Sequence, residues 1–523
     1  MKTKFLVIIF ILSGMMFHSQ TNSGLIKPNV DLSSYVGECR ASRNGDKNTS
    51  DNSRCSSQEN LNIKIKNIVE AEAKYDYFSG TVLVAKNDSI VYKGAFGYAN
   101  RDFNILNTLQ TKFNIGSVTK TFTALAIMQF VEQGKIDVDD PISKYLPDCP
   151  IPEKNKITIH QLLTHTSGLY DYANSEVIFD MLYKRSINEM IPYVYGSGLL
   201  FNPGDSVSYS SGGYILLGSV IEKVSGMTYK QYLNEKIFKP AGMKNSDLLF
   251  AEDISPNKAE GYKQIDREKF INRKLLDFPA SSSGGIFTTA DDLFLYKKAL
   301  FGFELLSRDY LKILLSVKTI EIPGAGRVAY AWWIDKVNGS QRIYHTGGTP
   351  GFSSSLDIYP DLGFTIIIVS NTWRGGTGLI GLRSQINSVI TGDYSEVPDE
   401  YTYDLSKGID NYFDGNYRSS ISHLNKVIEG NLQSKRLAYY YSALARIQTN
   451  DDLNNAIEYL NKFIELSDHQ ALVKSIASAW YWKGSVYEKL NNKTKAIESY
   501  EKSLELNPES ESTSRKISVL KNN

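Results

Sequence analysis

The sequence predicts two folded domains, an α/β (α+β) domain over residues 60–395 and an all-α repeat domain over residues 396–523. The first should contain one antiparallel sheet, because strand-like runs occur near both of its ends. The region between these runs, roughly residues 140–300, is mostly helical in pattern and is expected to form an inserted helical subdomain. Beyond residue 396 a helical pattern recurs at a nearly constant period, which is typical of stacked helical hairpins.

The first 19 residues are expected to be a secretory signal peptide. Lys2 and Lys4 precede the apolar run FLVIIFILSGMMF, which is too short to span a bilayer comfortably. Cleavage is expected after Ser19, although Phe17 is a poor residue at its position before the cut. An uncleaved membrane anchor is the alternative. The charge pattern favours export, to the periplasm or out of the cell, with no membrane span left after cleavage.

Residues 20–59 are expected to be a flexible linker, because the segment RASRNGDKNTSDNSR is rich in Ser, Asn, Asp and Gly. Such a segment buries too little apolar surface to order itself. Export would permit a disulfide between Cys39 and Cys55, which flank this loop, and the sequence leaves open whether that bond forms. The third cysteine, Cys149, is then expected to be a buried small apolar residue.

Turn and periodicity signals predict the elements of the first domain in order. The β-rich runs SGTVLVAK and SIVYKGAFGYAN are separated by Asn87 and Asp88, which predicts a hairpin. The segment FNIGSVTKTFTALAIMQF then begins a helix that should end near Gly134. Late strands are predicted in YAWWIDKV, QRIYHT, FSSSLDIY and FTIIIVSN.

The repeat domain resembles the tetratricopeptide repeat family. Aligning its three copies superposes Ser420, Ala456 and Ala496, at spacings of 36 and 40 residues. In the last copy, the signature positions counted back from Pro508 hold Trp480, Gly484, Tyr487, Ala496 and Tyr500. The resemblance implies packed helical hairpins with a concave surface, on which a protein or peptide partner could bind.

Composition argues against two classes of function. The net charge is +1 and no basic stripe is present, whereas a nucleic-acid-binding protein needs clustered Lys and Arg for phosphate contacts. The three cysteines and six histidines show neither Cys-x-x-Cys nor His-Glu-x-x-His spacing. We therefore expect neither nucleic acid nor a bound metal.

Ser117 and Lys120 form a candidate reaction centre. The Ser-x-x-Lys spacing alone is weak evidence, because it also occurs at Ser499–Lys502 inside the last repeat. At Ser117, however, Gly116 permits close approach of the backbone, and a helix beginning there places the hydroxyl at the positive end of the helix dipole. One turn on, Lys120 returns to the same face, and a poorly solvated amine could accept the serine proton.

Two later segments add candidate polar groups. The loop in NPGDSVSYSSGGYILLG places Tyr209 just before a helix, which Ser210 or Ser211 is expected to cap. In RIYHTGGTPGFSSS a strand with His345 runs into a Gly-Gly pair, which leaves room for a substrate backbone along the strand edge.

Five ordered segments resemble the β-lactamase-related serine hydrolase superfamily. That superfamily includes class C β-lactamases, D-alanyl-D-alanine carboxypeptidases, D-aminopeptidases and related esterases. The segments are GSVTKTFTALAI, ITIHQLLTHTSGL, PGDSVSYSSGGYILLG, ASSSGGIFTTADDL and HTGGTPGFSS, within roughly residues 60–390. Each motif is modest, but the ordered set is specific. It implies a domain like the serine β-lactamases and penicillin-binding proteins.

The resemblance implies a role for each matched residue. Ser117 would be the acylated nucleophile, Lys120 its activating partner and Tyr209 the proton shuttle to the leaving group. His345 would take the place of the lysine in the family's Lys-Thr-Gly strand motif. His165, in LLTHTSGL, would be architectural. The substrate-binding and oxyanion positions would be Ser211, His345, Thr346, Gly347 and Gly348, with the N–H groups of Ser117 and Gly348 forming the oxyanion hole. The implied chemistry needs no cofactor.

Two departures from the family pattern bear on the substrate. Ser211 stands where the family often has Asn, and His345 replaces the strand lysine with a side chain whose charge varies near neutral pH. This second pattern is associated more with the peptidases and esterases of the family. Both changes lower the expectation of strong β-lactam hydrolysis.

The leading hypothesis is an exported serine hydrolase that forms an acyl-enzyme on Ser117. Its expected substrates are D-amino-acid (peptidoglycan-type) peptides or esters, and an amine acceptor in place of water would make it a transpeptidase. One alternative is a class C-like β-lactamase. Another is a tetratricopeptide adaptor whose hydrolase domain only binds ligand, although the joint presence of Ser117, Lys120 and Tyr209 argues against it.

Overall fold

The structure, a computed structural model, describes residues 50–172, 186–196, 198–250, 253–266, 269–272, 279–319, 326–373, 378–392, 401–430, 435–467, 473–508 and 510–522. The expected signal peptide, Cys39 and the side chain of Cys55 lie outside this description, so the disulfide does too. The chain divides into two compact units, residues 1–397 and 398–523. This division falls two residues beyond the boundary expected from the sequence.

A seven-stranded antiparallel sheet forms the centre of the first unit, as predicted. In spatial order its strands are β10 (Arg327–Val328), β11 (Trp333–Val337), β12 (Ser340–Thr349), β13 (Phe352–Tyr359), β14 (Phe364–Ser370), β1 (Gly80–Lys86) and β2 (Ser89–Phe96). The N-terminal hairpin therefore completes a sheet that is built mainly from late strands. Its turn falls at Asn87 and Asp88, whose φ angles of 47° and 63° match the left-handed pair of a type I′ turn.

Helices are the commonest regular elements in the described remainder of the first unit. The helices are α1 (Ser50–Lys74), α2 (Thr119–Glu132), α3 (Ile159–Leu163), α4 (Ile187–Met190), α5 (Ser211–Ser225), α6 (Tyr229–Tyr232), α7 (Lys239–Ala241), α8 (Ala290–Phe301), α9 (Arg308–Leu315) and α10 (Gly378–Ile390). A π-helical turn, Leu233–Phe238, joins α6 to α7, and a 3-10 turn, Gly116–Val118, leads into α2. Helix α2 ends just before Gly134, at φ 68°, where its end was predicted.

Both faces of the sheet are buried, because successive side chains of its strands alternate between two apolar clusters. Leu83 of β1 and Ile367 of β14 belong to the cluster that includes the middle helices. Val84 and Ile366, their neighbours along the same strands, belong to a second cluster with side chains of α1 and α10. The sheet is therefore the middle layer between two layers of helix.

Short strands supplement the helices of the first unit, and four of them lie within residues 140–300, where the sequence predicts mostly helix. The additional strands are β3 (Tyr98–Asn100), β4 (Ile105–Leu106), β5 (Phe113–Asn114), β6 (Asp247–Leu248), β7 (Tyr262–Asp266), β8 (Lys269–Asn272), β9 (Ile286–Thr288) and β15 (Thr372–Trp373). They form the sheets β5-β9-β6 and β15-β7-β8 and the pair β3-β4. Most have two or three residues, which is too short for an alternating pattern to be recognised.

Helix α1 corrects the expected linker, which was extended to residue 59. The helix begins at Ser50, so the last ten residues assigned to the linker are helical. Ile65, Ile68 and Val69 give the helix a buried apolar stripe at helical spacing. Tertiary packing of that stripe stabilises a helix that the polar composition upstream did not predict.

The second unit consists of helices in the described residues. They are α11 (Thr402–Phe413), α12 (Tyr417–Glu429), α13 (Arg436–Thr449), α14 (Leu453–Glu465), α15 (Val473–Lys489), α16 (Lys493–Leu506) and α17 (Glu511–Asn522). Ser420, Ala456 and Ala496, which the repeat alignment superposes, lie at equivalent places in α12, α14 and α16 and are all fully buried. Small residues at these positions allow the paired helices to pack closely.

Candidate active site

Ser117 lies at the junction between a tight turn and α2, next to strand β12. Gly116 has a φ of 48°, a left-handed conformation that favours glycine. A Cβ atom at Gly116 would also lie 2.8 Å from the backbone nitrogen of Gly348. The glycine therefore lets the Ser117 turn approach the β12 backbone closely.

Lys120 follows one turn later and is completely buried. Its Nζ lies 3.1 Å from Ser117 Oγ, 3.4 Å from Ser211 Oγ and 2.9 Å from the carbonyl oxygen of Ser283. Burial lowers the pKa of this amine to about 7, against the opposing effect of the Asp171 charge. A large fraction of Lys120 is therefore neutral near neutral pH and able to accept a proton from Ser117.

Tyr209 lies in the loop before α5, with its ring 4.4 Å from the ring of His165 between centroids. Its hydroxyl is hydrogen-bonded to the Ser117 side chain, and the Lys120 amine lies 4.9 Å from its ring centroid. Burial raises the pKa of the phenol well above its usual range. Tyr209 is thus a protonated donor beside the candidate nucleophile.

Of the two serines expected to cap helix α5, Ser210 is the N-cap. Ser210 Oγ accepts a hydrogen bond from the Gly213 N–H at 3.2 Å, which is the N-cap arrangement. The Ser211 hydroxyl is left to contact Lys120. His165 also stabilises the start of this helix, because its Nδ1 accepts a hydrogen bond from the Ser210 N–H at 3.1 Å. Such a contact fits the architectural role that the resemblance implied for His165.

His345 corrects the expectation that its charge varies near neutral pH. The side chain is buried, and its Nδ1 lies 2.6 Å from the backbone carbonyl oxygen of Thr346. Burial, followed by the nearby Lys120 charge, lowers the pKa of His345 to about 3. The imidazole is therefore neutral throughout the physiological range.

The three residues after His345 differ in their surroundings. The Thr346 side chain is exposed, whereas a Cβ atom at Gly347 would lie 1.9 Å from the carbonyl oxygen of Ile115. A Cβ atom at Gly348 would have no heavy atom within 4 Å. Strand β12 is thus packed against the Ser117 turn at Gly347 and borders open space at Gly348.

Two groups near Lys120 were missed by the sequence reasoning. The Asp171 Oδ1 accepts a hydrogen bond from the Ser211 N–H at 3.1 Å, and the Ser283 carbonyl accepts from Lys120. Asp171 is the second residue after the motif LLTHTSGL, and Ser283 lies within the motif ASSSGG. The sequence signal available for Asp171 was an acidic residue close to a motif. The Ser283 contact uses a backbone carbonyl, which every residue has, so the sequence contains no signal for it.

The described residues contain no group of three or more His, Cys, Asp and Glu side chains placed to hold a metal ion. In the same part of the chain, no helix combines the length and the apolar character needed to cross a bilayer. Cys149, expected to be a buried apolar residue, is buried and free.

The fold and the cluster around Ser117 define the class of protein as a serine hydrolase with the β-lactamase fold. The family model described as Beta-lactamase matches residues 65–388, more than half of the chain, so the chain belongs to the β-lactamase family. A second model, described as Tetratricopeptide repeat, matches residues 477–510. Both assignments agree with the resemblances seen in the sequence.

Similar proteins include penicillin-binding proteins and an amidase. A penicillin-binding protein of Bacillus subtilis (strain 168) is 27% identical over 370 residues, 68% of this chain and 81% of that protein. The crystal structure of a penicillin binding protein from Bacillus halodurans has a TM-score of 0.56 and 31% identity, covering 61% of this chain and 98% of that one. A D-amino acid amidase from Ochrobactrum anthropi SV3 has a TM-score of 0.56 and 25% identity, covering 63% and 97%.

Proposed function

We propose that the protein is an exported hydrolase that forms an acyl-enzyme on Ser117 and acts on D-amino-acid peptides or on esters. The observation that supports this most directly is the fully buried Lys120 amine, 3.1 Å from the Ser117 hydroxyl. A buried lysine with no catalytic task is costly, because burial disfavours its charged form. Here the same burial prepares the amine to act as a base.

In the proposed reaction, Ser117 Oγ attacks the substrate carbonyl carbon while Lys120 Nζ takes its proton. The N–H groups of Ser117 and Gly348 stabilise the negative charge on the carbonyl oxygen. Tyr209 donates its proton to the leaving amine or alcohol and is reprotonated from Lys120. Water then attacks the acyl-enzyme, with the same groups acting as base and acid.

The proposed substrate class follows from the relatives and from His345. The D-amino acid amidase similar to this chain supports acyl transfer from D-amino-acid derivatives. A class C-like β-lactamase is the alternative, but penicillins carry a carboxylate, and the neutral His345 offers it no positive charge. The short Ser211 side chain also lacks the amide that an Asn would offer. Esters, and D-amino-acid peptides or amides without a free carboxylate beside the scissile bond, therefore remain the preferred substrates, with an amine acceptor giving transpeptidation.

The test is covalent labelling of the purified protein with a fluorescent penicillin and with a short-chain nitrophenyl ester, followed by intact-mass analysis. We expect one acyl adduct on the wild-type chain and none on Ser117→Ala. Ser499→Ala is the matched control: Ser499 has the same Ser-x-x-Lys spacing, but its hydroxyl donates to the Lys495 carbonyl of its own helix. An adduct that survives Ser117→Ala would refute the assigned nucleophile. Rapid penicillin turnover would favour the β-lactamase alternative.

Export and partner binding are separate proposals. Export rests on the charge and apolar pattern of residues 1–19, and sequencing of the mature N-terminus from the native host would find it at residue 20. An intact N-terminus would indicate the membrane anchor instead. A peptide or protein partner is proposed for the repeats, and affinity capture with the full chain should recover a partner that a chain ending at Val397 does not.

A further inference from the structure

Asp171 connects two parts of the site that come from different segments. Its Oδ1 accepts a hydrogen bond at 3.1 Å from the N–H of Ser211, the first residue of α5. The first N–H groups of a helix have no partner within the helix, and a negative charge is favourable at this end. Asp171 thereby holds the backbone that places Ser211 beside Lys120.

The Asp171 charge also acts on Lys120, since it favours the ammonium form against the effect of burial. Among the described residues, the tyrosine and histidine side chains around the amine are neutral at neutral pH. Burial raises the pKa of Tyr209 and Tyr214, from the region of α5, well above the usual range. Burial lowers the pKa of His165, after α3, and of His345, in β12. In the described part of this cluster, Asp171 is therefore the charged group that opposes the effect of burial on Lys120.

We propose that Asp171 is a positioning residue of this site: its carboxylate accepts from the Ser211 N–H, fixes the backbone that places Ser211 Oγ beside Lys120 Nζ, and brings a negative charge to the same cluster. The Asp171 charge therefore affects two properties of the amine in opposite directions: the fraction that is neutral and its strength as a base. Without the charge the amine would lose its proton more readily but would be a weaker base. The catalytic meaning of this proposal, although not the contacts, rests on the proposed function.

Two substitutions separate the carboxylate's charge from its hydrogen bond. Asp171→Asn retains an oxygen that can accept from the Ser211 N–H but removes the charge, and Asp171→Glu retains the charge on a longer side chain. The exposed Asp205, in the loop before Tyr209, supplies the control Asp205→Asn, which removes an equal charge from solvent.

The decisive measurement is the titration of Lys120 by NMR, with ¹³C-labelled lysine and with Lys120→Arg to assign the signal. It does not depend on any substrate. We expect Asp171→Asn to lower the titration midpoint of Lys120 by about one pH unit, since an opposite charge close by shifts a pKa by one to three units. Asp205→Asn and Asp171→Glu should leave it within a few tenths. A midpoint that does not move, or that rises, in Asp171→Asn overturns the proposal.

Kinetics then test the catalytic consequence. In the pH profile of kcat/KM for the nitrophenyl ester, the acidic limb of Asp171→Asn should move to lower pH by the same amount as the NMR midpoint. A purely structural role would lower the plateau and leave the limb in place, which would contradict the proposal. If Asp171→Asn does not fold, Asp171→Ser provides a second neutral variant. Failure of the proposed function would appear differently, as an inactive wild-type chain whose Lys120 titration still responds to Asp171.

Discussion

At the scale of single residues, the state of one amine controls the proposed chemistry. Lys120 accepts a proton only when neutral, and burial lowers its pKa to about 7. The rate of Ser117 acylation should therefore rise with pH and level off above about 8, since the neutral fraction is about one half at the pKa and about nine-tenths one pH unit above it. Acylation reactions quenched at successive times between pH 5 and 8.5, with the adduct quantified by intact-mass analysis, measure this profile.

Lys120→Arg is the companion variant, because a guanidinium stays charged across this range. We expect its acylation rate to fall by about 10²–10⁴-fold, the usual contribution of a positioned base. Near wild-type acylation in Lys120→Arg would show that some other group activates Ser117.

His345, unlike Lys120, is expected not to affect the pH dependence of acylation. Its pKa of about 3 keeps it neutral from pH 5 to pH 8.5. His345→Gln should change the height of the acylation profile but leave its midpoint within about 0.2 pH units of wild type. A midpoint displaced by half a unit or more would mean that His345 titrates in this range, against its burial.

Sequence reasoning reached the residues of this site to different degrees. Ser117 and Lys120 were predicted because a helix start, a preceding glycine and an apolar helix face coincide within a few residues. The contact of Asp171 with Ser211 spans 40 positions of the chain and depends on how the loop after α3 meets α5. The charge state of His345 was mispredicted because the sequence does not show burial.

At the scale of elements, the close packing of β12 on the turn before α2 determines the position of Ser117. A methyl group at Gly347 would lie 1.9 Å from the Ile115 carbonyl oxygen, so Gly347→Ala should cost about 3 kcal/mol of unfolding free energy. The neighbouring Gly348→Ala has open space and should stay within about 0.5 kcal/mol of wild type. Urea unfolding of the two variants measures the difference. Equal stabilities would mean that β12 does not pack on the turn as described.

The elements themselves were predictable where their patterns were long. β1, β2 and the late strands have continuous β-branched and aromatic runs with turn residues between them, and their antiparallel arrangement is as expected. The two small sheets were not, since strands of two to five residues are specified by their partners more than by their own sequence. The first ten residues of α1 were missed for a related reason: their composition is polar, and the helix is stabilised further along, at Ile65 and Ile68.

At the scale of the whole molecule, the chain comprises two compact units, each with buried apolar clusters of its own. Every residue proposed to act in catalysis belongs to the first unit. Length and period predicted this organisation from the sequence, because 523 residues exceed one ordinary domain and the last part repeats. The chemistry of a ligand for the repeats was not predictable, since a helical stack specifies the shape of a surface and its exposed side chains determine what it can bind.

Two core substitutions test whether the units are stable independently. Leu460, in α14, and Leu125, in α2, are both fully buried, so truncation of either to Ala should cost about 2–5 kcal/mol. We expect Leu460→Ala to lower the temperature at which part of the helical circular dichroism is lost, while Ser117 labelling after heating persists to the wild-type temperature. Leu125→Ala should instead lower the temperature at which labelling is lost. If Leu460→Ala also brought forward the loss of labelling, the two units would unfold as one cooperative body, and the repeats would have to be counted as part of the support for the active site.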